Sequence, residues 1–204
     1  MEKQEMYTIA LPNNTFIEIK KSKFICDIYP IKSIDDINEK LKLIRKINPN
    51  ATHYCYAYIF NNNGSEIIKF SDDGEPNKTA GIIILDVLKK KNLTNVLAIV
   101  TRYFGGIKLG ANGLVRAYSL ATANTIDDNN IIKIEKYLSV CIITTYQYND
   151  ILLFNLQNYE LLSKEYSDVV KLTYKIKQED VEIIKNKIIE ITKQSAKISI
   201  MDIS

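Results

Sequence analysis

Residues 102–118 read Arg102-Tyr103-Phe104-Gly105-Gly106-Ile107-Lys108-Leu109-Gly110-Ala111-Asn112-Gly113-Leu114-Val115-Arg116-Ala117-Tyr118: a strand end, a glycine-rich loop and a helix start in direct succession. Upstream, Val96, Ala98 and Val100 alternate with Leu97 and Ile99. Both sets are apolar, which predicts a strand from Asn95 to Tyr103 buried on both faces. Downstream, Leu114 to about Ile126 has helical spacing. Six of the seven glycines (Gly74, Gly81, Gly105, Gly106, Gly110, Gly113) and two of the three arginines lie between residues 74 and 116. Recognition is therefore expected to centre there. In a chain this rich in lysine, Arg102 and Arg116 mark positions where a planar two-pronged donor is needed.

Working outward, Phe16–Lys20 and Phe24–Tyr29 are extended segments stopped by Pro30. Ser33 then offers an N-cap to an amphipathic helix through Ile34, Ile37, Leu41 and Ile44, ending near Asn48-Pro49. His53–Phe60 and Glu66–Phe70 form a predicted hairpin about Asn61-Asn62-Asn63-Gly64. Ser71-Asp72-Asp73-Gly74-Glu75-Pro76 is a turn, followed by a helix over Thr79–Lys90. Asp127-Asp128-Asn129-Asn130 is the most polar break of the second half. It separates a domain over residues 1–130 from one over 134–204. The latter reads strand (136–145), helix (150–158), strand (162–166), strand (169–177), helix (179–193), strand (197–202). That βαββαβ order belongs to a ferredoxin-like sandwich, so the fold class is α+β with two domains.

The chain has 204 residues, 46% apolar and 25% charged, with 27 basic and 24 acidic side chains. This is globular composition, and the surplus of +3 is too small for a general nucleic-acid coat. The balance is uneven: residues 1–133 carry 18 basic and 14 acidic side chains, residues 134–204 nine and ten. An anionic partner is thus better received by the first domain. Met1–Ala10 lacks the layout of a secretory signal and no apolar run reaches membrane-spanning length, so a cytoplasmic protein without membrane contact is expected. Cys26, Cys55 and Cys141 show no zinc spacing and read as reduced core residues. A single histidine, His53, excludes a histidine-rich metal site.

In the central stretch, helix-start amides with Arg102, Gly105, Gly106, Lys108, Gly110, Gly113 and Arg116 can converge on an anion. Nucleotide motifs fail: Gly105 to Gly110 has the spacing of a phosphate loop, but Ala111-Asn112 stands where Lys-Ser/Thr is required. No cofactor is expected. The alternative for the glycines is a tight strand–helix crossing, with the arginines paired to Asp72, Asp73 or Glu75. The acidic turn either binds a hard cation or caps itself through backbone amides, and the second is expected, so no metal is assigned. His53 is either a general base or a hydrogen-bonded strand residue.

Ala51-Thr52-His53, Ser71 to Pro76, Thr79-Ala80-Gly81, Arg102 to Gly110 and Gly113-Leu114-Val115-Arg116-Ala117-Tyr118 together resemble the IMPACT/YigZ family from about Lys20 to Ile126. One departure is Ile83, where the family has proline. The resemblance implies a first domain like ribosomal protein S5 domain 2 and a second that is ferredoxin-like, similar to domains IV and V of elongation factor G. Eukaryotic relatives regulate translation with an additional RWD domain, so their activity is not carried over. The expected function is non-enzymatic: a monomer that binds RNA or the ribosome through the seven central residues, with Tyr103, Phe104 and Tyr118 either stacking on bases or packing in the core beside a buried strand. A second reading is a hydrolase or small-phosphoester-binding protein using His53, Asp72, Asp73 and Glu75 beside the glycine loop. A third is a protein-interaction module acting through the C-terminal domain.

Overall fold

The computed structural model describes residues 5–62 and 65–203 and divides into two compact units, Met1–Ile134 and Glu135–Ser204. In the first unit the strands are β1 (Tyr7–Ile9), β2 (Asn13–Ile19), β3 (Ser22–Pro30), β4 (His53–Asn62), β5 (Ser65–Ser71), β6 (Val96–Tyr103) and β7 (Ile131–Lys133). The helices are α1 (Ile34–Ile47), α2 (Gly81–Lys90) and α3 (Ala111–Thr125). Five strands form one antiparallel sheet in the order β2-β3-β6-β4-β5. β6 is central, which is why both its faces are apolar. On one face Phe24, Cys26, Val100 and Ala98 meet Ile84 and Leu88 of α2 and Leu114, Ala117 and Tyr118 of α3. On the other, Leu97, Ile99, Tyr54 and Tyr58 pack with Ile37 and Ile44 of α1. Ser33 caps α1 by accepting from the Asp36 amide at 3.1 Å.

Several boundaries move. α3 begins at Ala111, three residues before the expected start, so Gly113 lies in its first turn and Arg116 in its second. α2 begins at Gly81, not Thr79. β1 pairs antiparallel with β7, an element that alternation does not reveal in three-residue strands. The polar break at Asp127–Asn130 is a short 3-10 turn within the first unit, its Asp127 carboxylate accepting from the Asn129 amide at 2.9 Å. Of the expected 61–64 turn, Asn63 and Gly64 lie outside the described residues, as do Met1–Gln4 of the opening segment.

The second unit runs β8 (Tyr137–Thr144), α4 (Asn149–Asn155), β9 (Glu160–Tyr166), β10 (Val170–Lys177), α5 (Val181–Ile191) and β11 (Lys197–Asp202). Its antiparallel sheet has the order β11-β8-β10-β9. Val140, Ile142, Leu172, Tyr174 and Ile176 pack against Leu152, Leu156, Ile184 and Ile188 of the helices. β10 alternates buried and half-buried residues without interruption, as expected for a strand with helices on one face only. The chain is thus a mixed α+β protein. Among the described residues no helix is long and apolar enough to cross a membrane.

Candidate functional site

Register builds the site. His53 of β4 lies directly opposite Arg102 of β6, and Phe24 of β3 lies opposite Arg102 on the other side. All three share the sheet face covered by α3. The turn after β5 then brings Glu75 over Arg102, although the two are 27 residues apart. Arg102 Nη1 donates to Glu75 Oε1 at 2.6 Å, and the Tyr118 hydroxyl donates to the same oxygen at 2.7 Å. The guanidinium lies between two rings, 5.2 Å from the Phe24 centroid and 5.5 Å from that of Phe104. Arg102 is 5% exposed. This corrects its expected role as a phosphate contact: its charge is balanced by Glu75, and an incoming phosphate would have to displace a buried carboxylate. The expected alternative, an arginine paired to the acidic turn, is what forms.

The carboxylates of Asp72 and Asp73 are engaged by the fold. Asp72 Oδ1 accepts from the Ala80 and Gly81 amides at 3.0 and 2.8 Å, and Oδ2 from the Lys78 amide at 3.0 Å. It therefore caps α2, whose own N-cap residue Ala80 has no side-chain acceptor. Asp73 Oδ2 accepts from the Tyr54 amide at 2.7 Å and Oδ1 from Arg45 at 2.8 Å. Both acids thus serve the fold, Asp72 at the start of α2 and Asp73 between β4 and α1. Among the described residues no group of three or more His, Cys, Asp or Glu side chains is arranged to hold a metal. His53 Nδ1 is 2.8 Å from the Asp73 carbonyl, and Nε2 is 3.9 Å from Glu75 Oε2.

Cys55 Sγ sits 3.0 Å from the Asp72 carbonyl and 3.3 Å from the Tyr118 hydroxyl. Burial pushes its thiol up to about 12, so it stays protonated and unreactive. Burial, and next Cys55 beside it, likewise raises the Tyr118 hydroxyl. Tyr118 is fully buried and its ring meets Phe24 edge-on at 5.3 Å, so it cannot stack on a ligand. Tyr103 is half-buried and donates its hydroxyl to Asn48 Oδ1 at 3.0 Å. Of the three candidate rings only Phe104 is open, at 45%.

The glycine loop is an edge feature. A Cβ on Gly105 would stand 2.0 Å from the Lys21 carbonyl carbon and oxygen. Only glycine permits that approach, and it lays the loop against the β2–β3 turn, with the Gly105 amide donating to Ser22 Oγ at 3.1 Å. Gly106 and Gly110 face open space, and Gly110 precedes α3 with φ +74°, a conformation other L residues resist. Gly113 packs on Leu109. Lys108 and Arg116 are exposed, and neither forms an ion pair among the described residues.

The docking brings in residues the sequence reading did not single out. Lys20 and Lys21 form a two-residue hairpin turn, both with positive φ (48° and 64°). Such turns usually carry Asn-Gly, and each left-handed non-glycine residue costs roughly 1–2 kcal/mol. Lys20, Lys21 and Lys23 are exposed, and Lys23 Nζ lies 4.5 Å from the centroid of Phe16, which is 63% exposed. The one available signal was the cluster Lys20-Lys21-Ser22-Lys23 between two strands.

The Impact N-terminal domain matches residues 20–126. IMPACT family member YvyE of Bacillus subtilis is 42% identical over 127 residues, covering 62% of this chain and 58% of its own length. IMPACT family member YigZ of Escherichia coli is 38% identical over 110 residues (53% and 54%), and Protein IMPACT of Rattus norvegicus 33% over 113 (53% and 34%). The chain spans about half the length of the bacterial relatives it matches. A crystal structure of a hypothetical protein superposes with TM-score 0.65 at 24% identity, covering 99% of this chain and 98% of that one, a likeness of fold alone. Since the matched domain spans more than half of the chain and contains His53, Glu75, Arg102 and Tyr118, the chain belongs to the IMPACT/YigZ family.

Proposed function

We propose that the first unit binds RNA, without catalysis, through the edge where the glycine loop meets the β2–β3 turn. The observation that carries this is the contact between Gly105 and Lys21. It groups Lys20 and Lys21 of the turn and Lys23 at the start of β3 with Lys108 of the glycine loop, beside the open rings of Phe16 and Phe104. Cations with interleaved aromatics fit a phosphate backbone and its unstacked bases. Arg116, exposed on α3, extends the surface. A strained turn carrying two lysines is more readily understood as a contact surface than as a stabilising one. The element orders support an S5 domain 2-like first domain (1–130) and a ferredoxin-like second (134–204). By fold analogy with elongation factor G, the RNA is ribosomal and the role is in regulating translation, in a cytoplasmic monomer.

The test is fluorescence anisotropy with a labelled single-stranded RNA across a salt series. Changing Lys20, Lys21 and Lys108 together to Ala should weaken binding at least tenfold and reduce the slope of log K against log salt by about 2. Unchanged affinity rejects the surface.

A second reading rests on the second unit, where Ile151 (48%), Phe154 (70%), Ile183 (68%) and the stacked pair Tyr146–Tyr166 are exposed. Such a patch suits a protein partner. Ribosomal-protein crosslinks that vanish in Phe154→Ser would favour it; crosslinks unaffected by that change would reject it.

A further inference from the structure

Glu75 is the one acid of the turn not taken up by backbone amides. Its two donors, Arg102 and Tyr118, both reach Oε1. Oε2 has no hydrogen-bond partner among the described residues, although the side chain is only 3% exposed. The polar atom facing it is His53 Nε2, 3.9 Å away. A carbonyl only accepts, so at 2.8 Å from the Asp73 carbonyl His53 Nδ1 carries the proton, and in the neutral imidazole Nε2 carries the lone pair. Two acceptors thus face each other across a gap too wide for a hydrogen bond.

Neither acceptor is given a donor by the described residues, and the pair has the spacing for one group with two hydrogens to bridge it. The charge on Glu75 is already balanced by Arg102, so the bridging donor need not be a cation; a phosphate, itself an acceptor, is excluded. His53 is 20% exposed at its side chain and so forms the open side of the pair. Phe104 adjoins it. Its amide donates to Thr52 Oγ1 at 3.0 Å, next in sequence to His53, and its exposed ring lies over the same guanidinium that holds Glu75.

We propose that Glu75 Oε2 and His53 Nε2 receive the exocyclic amino group of an unpaired nucleobase, with Phe104 as the neighbouring stacking ring. This rests on the RNA-binding edge proposed above and names what that RNA presents to the cleft. Cytosine, adenine and guanine carry such a group and uracil does not. Cytosine and uracil have the same ring size and differ along the one edge that carries the amino group, so comparing them tests that edge.

The experiment compares oligo(rC) with oligo(rU) at low salt. The intact protein should bind oligo(rC) at least fivefold more tightly. His53→Asn keeps a side-chain amide able to reach the Asp73 carbonyl but removes Nε2, and should lower oligo(rC) binding to the oligo(rU) level. Because His53 is the only histidine, its imidazole nitrogen signals are unambiguous in the unmodified protein. Nε2 should shift with oligo(rC) and not with oligo(rU), which tests the contact even where the variant fails to fold. Equal affinities, equal Nε2 shifts, or a folded His53→Asn protein that keeps its preference overturns this proposal and leaves the phosphate edge standing. Failure of every oligomer to bind overturns both.

Discussion

The two units of this chain place their charges in opposite ways. The first buries an ion pair, Glu75–Arg102, with side chains 3% and 6% exposed, and locks Asp72 into a helix cap beside it. The second keeps its core apolar. Its cross-strand pairs Lys171–Glu165 and Lys175–Glu160 and the pair Lys177–Glu135 stay in solvent, with the lysines 35% to 42% exposed. Buried pairs rarely add stability over apolar packing, whereas exposed pairs contribute little but cost little. The difference teaches where the chain carries an expense that folding alone does not require. That place is the first unit, around residues no apolar pattern explains.

The comparison is broken most severely by removing one partner of the buried pair. Arg102→Ala leaves Glu75 buried without its counter-charge and empties the space between Phe24 and Phe104. It should cost about 4 kcal/mol, read by hydrogen exchange as lost protection in residues 5–134 while residues 135–203 keep theirs. The reciprocal change in the second unit is a cavity. Leu172→Ala, at a fully buried site of β10, should cost about 3 kcal/mol, with the exchange pattern reversed.

A smaller effect follows from Asp27, buried on β3. Burial pushes its carboxyl up to about 6 from 3.8. Between those values the folded chain holds a proton that the unfolded chain has released, so this group makes stability fall as pH rises from about 4 to about 6. Asp27→Asn should flatten that slope in urea titrations and stabilise the first unit by about 2 kcal/mol at pH 7. A slope unchanged by the substitution would show that Asp27 is not its source. The smallest effect belongs to the exposed pairs: Lys171→Ala or Lys175→Ala should lower the unfolding free energy read from urea titrations by less than about 1 kcal/mol. A larger loss would erase the contrast between the units.

Much of this architecture was legible in the residues. β6 declared itself through an unbroken apolar run from Val96 to Val100, and α1 through Ser33 and the spacing of Ile37, Leu41 and Ile44. The second unit's element order followed from alternation and helical period. The candidate site was legible as a concentration of glycine and arginine with an acidic turn and a lone histidine, the arginines left open between an anion and that turn. Residue type does not say whether an arginine faces solvent or a carboxylate 27 residues away, and Arg102 proved to be the latter. Tyr118 stood open between a stacking ring and a core residue for the same reason; its helix face turns inward, where its hydroxyl finds Glu75. Lys20-Lys21 went unread because their turn lacks the glycine that ordinarily marks it.

The sequence by itself determined the periods, the strand–loop–helix at residues 95–126 and the family, because these depend on neighbours along the chain. The tertiary structure alone decided which charges are spent and which remain free, because that depends on distances across strands. Register sets Arg102 beside His53, the β5–α2 turn brings Glu75 to both, and the close approach at Gly105 gathers the lysines at one edge.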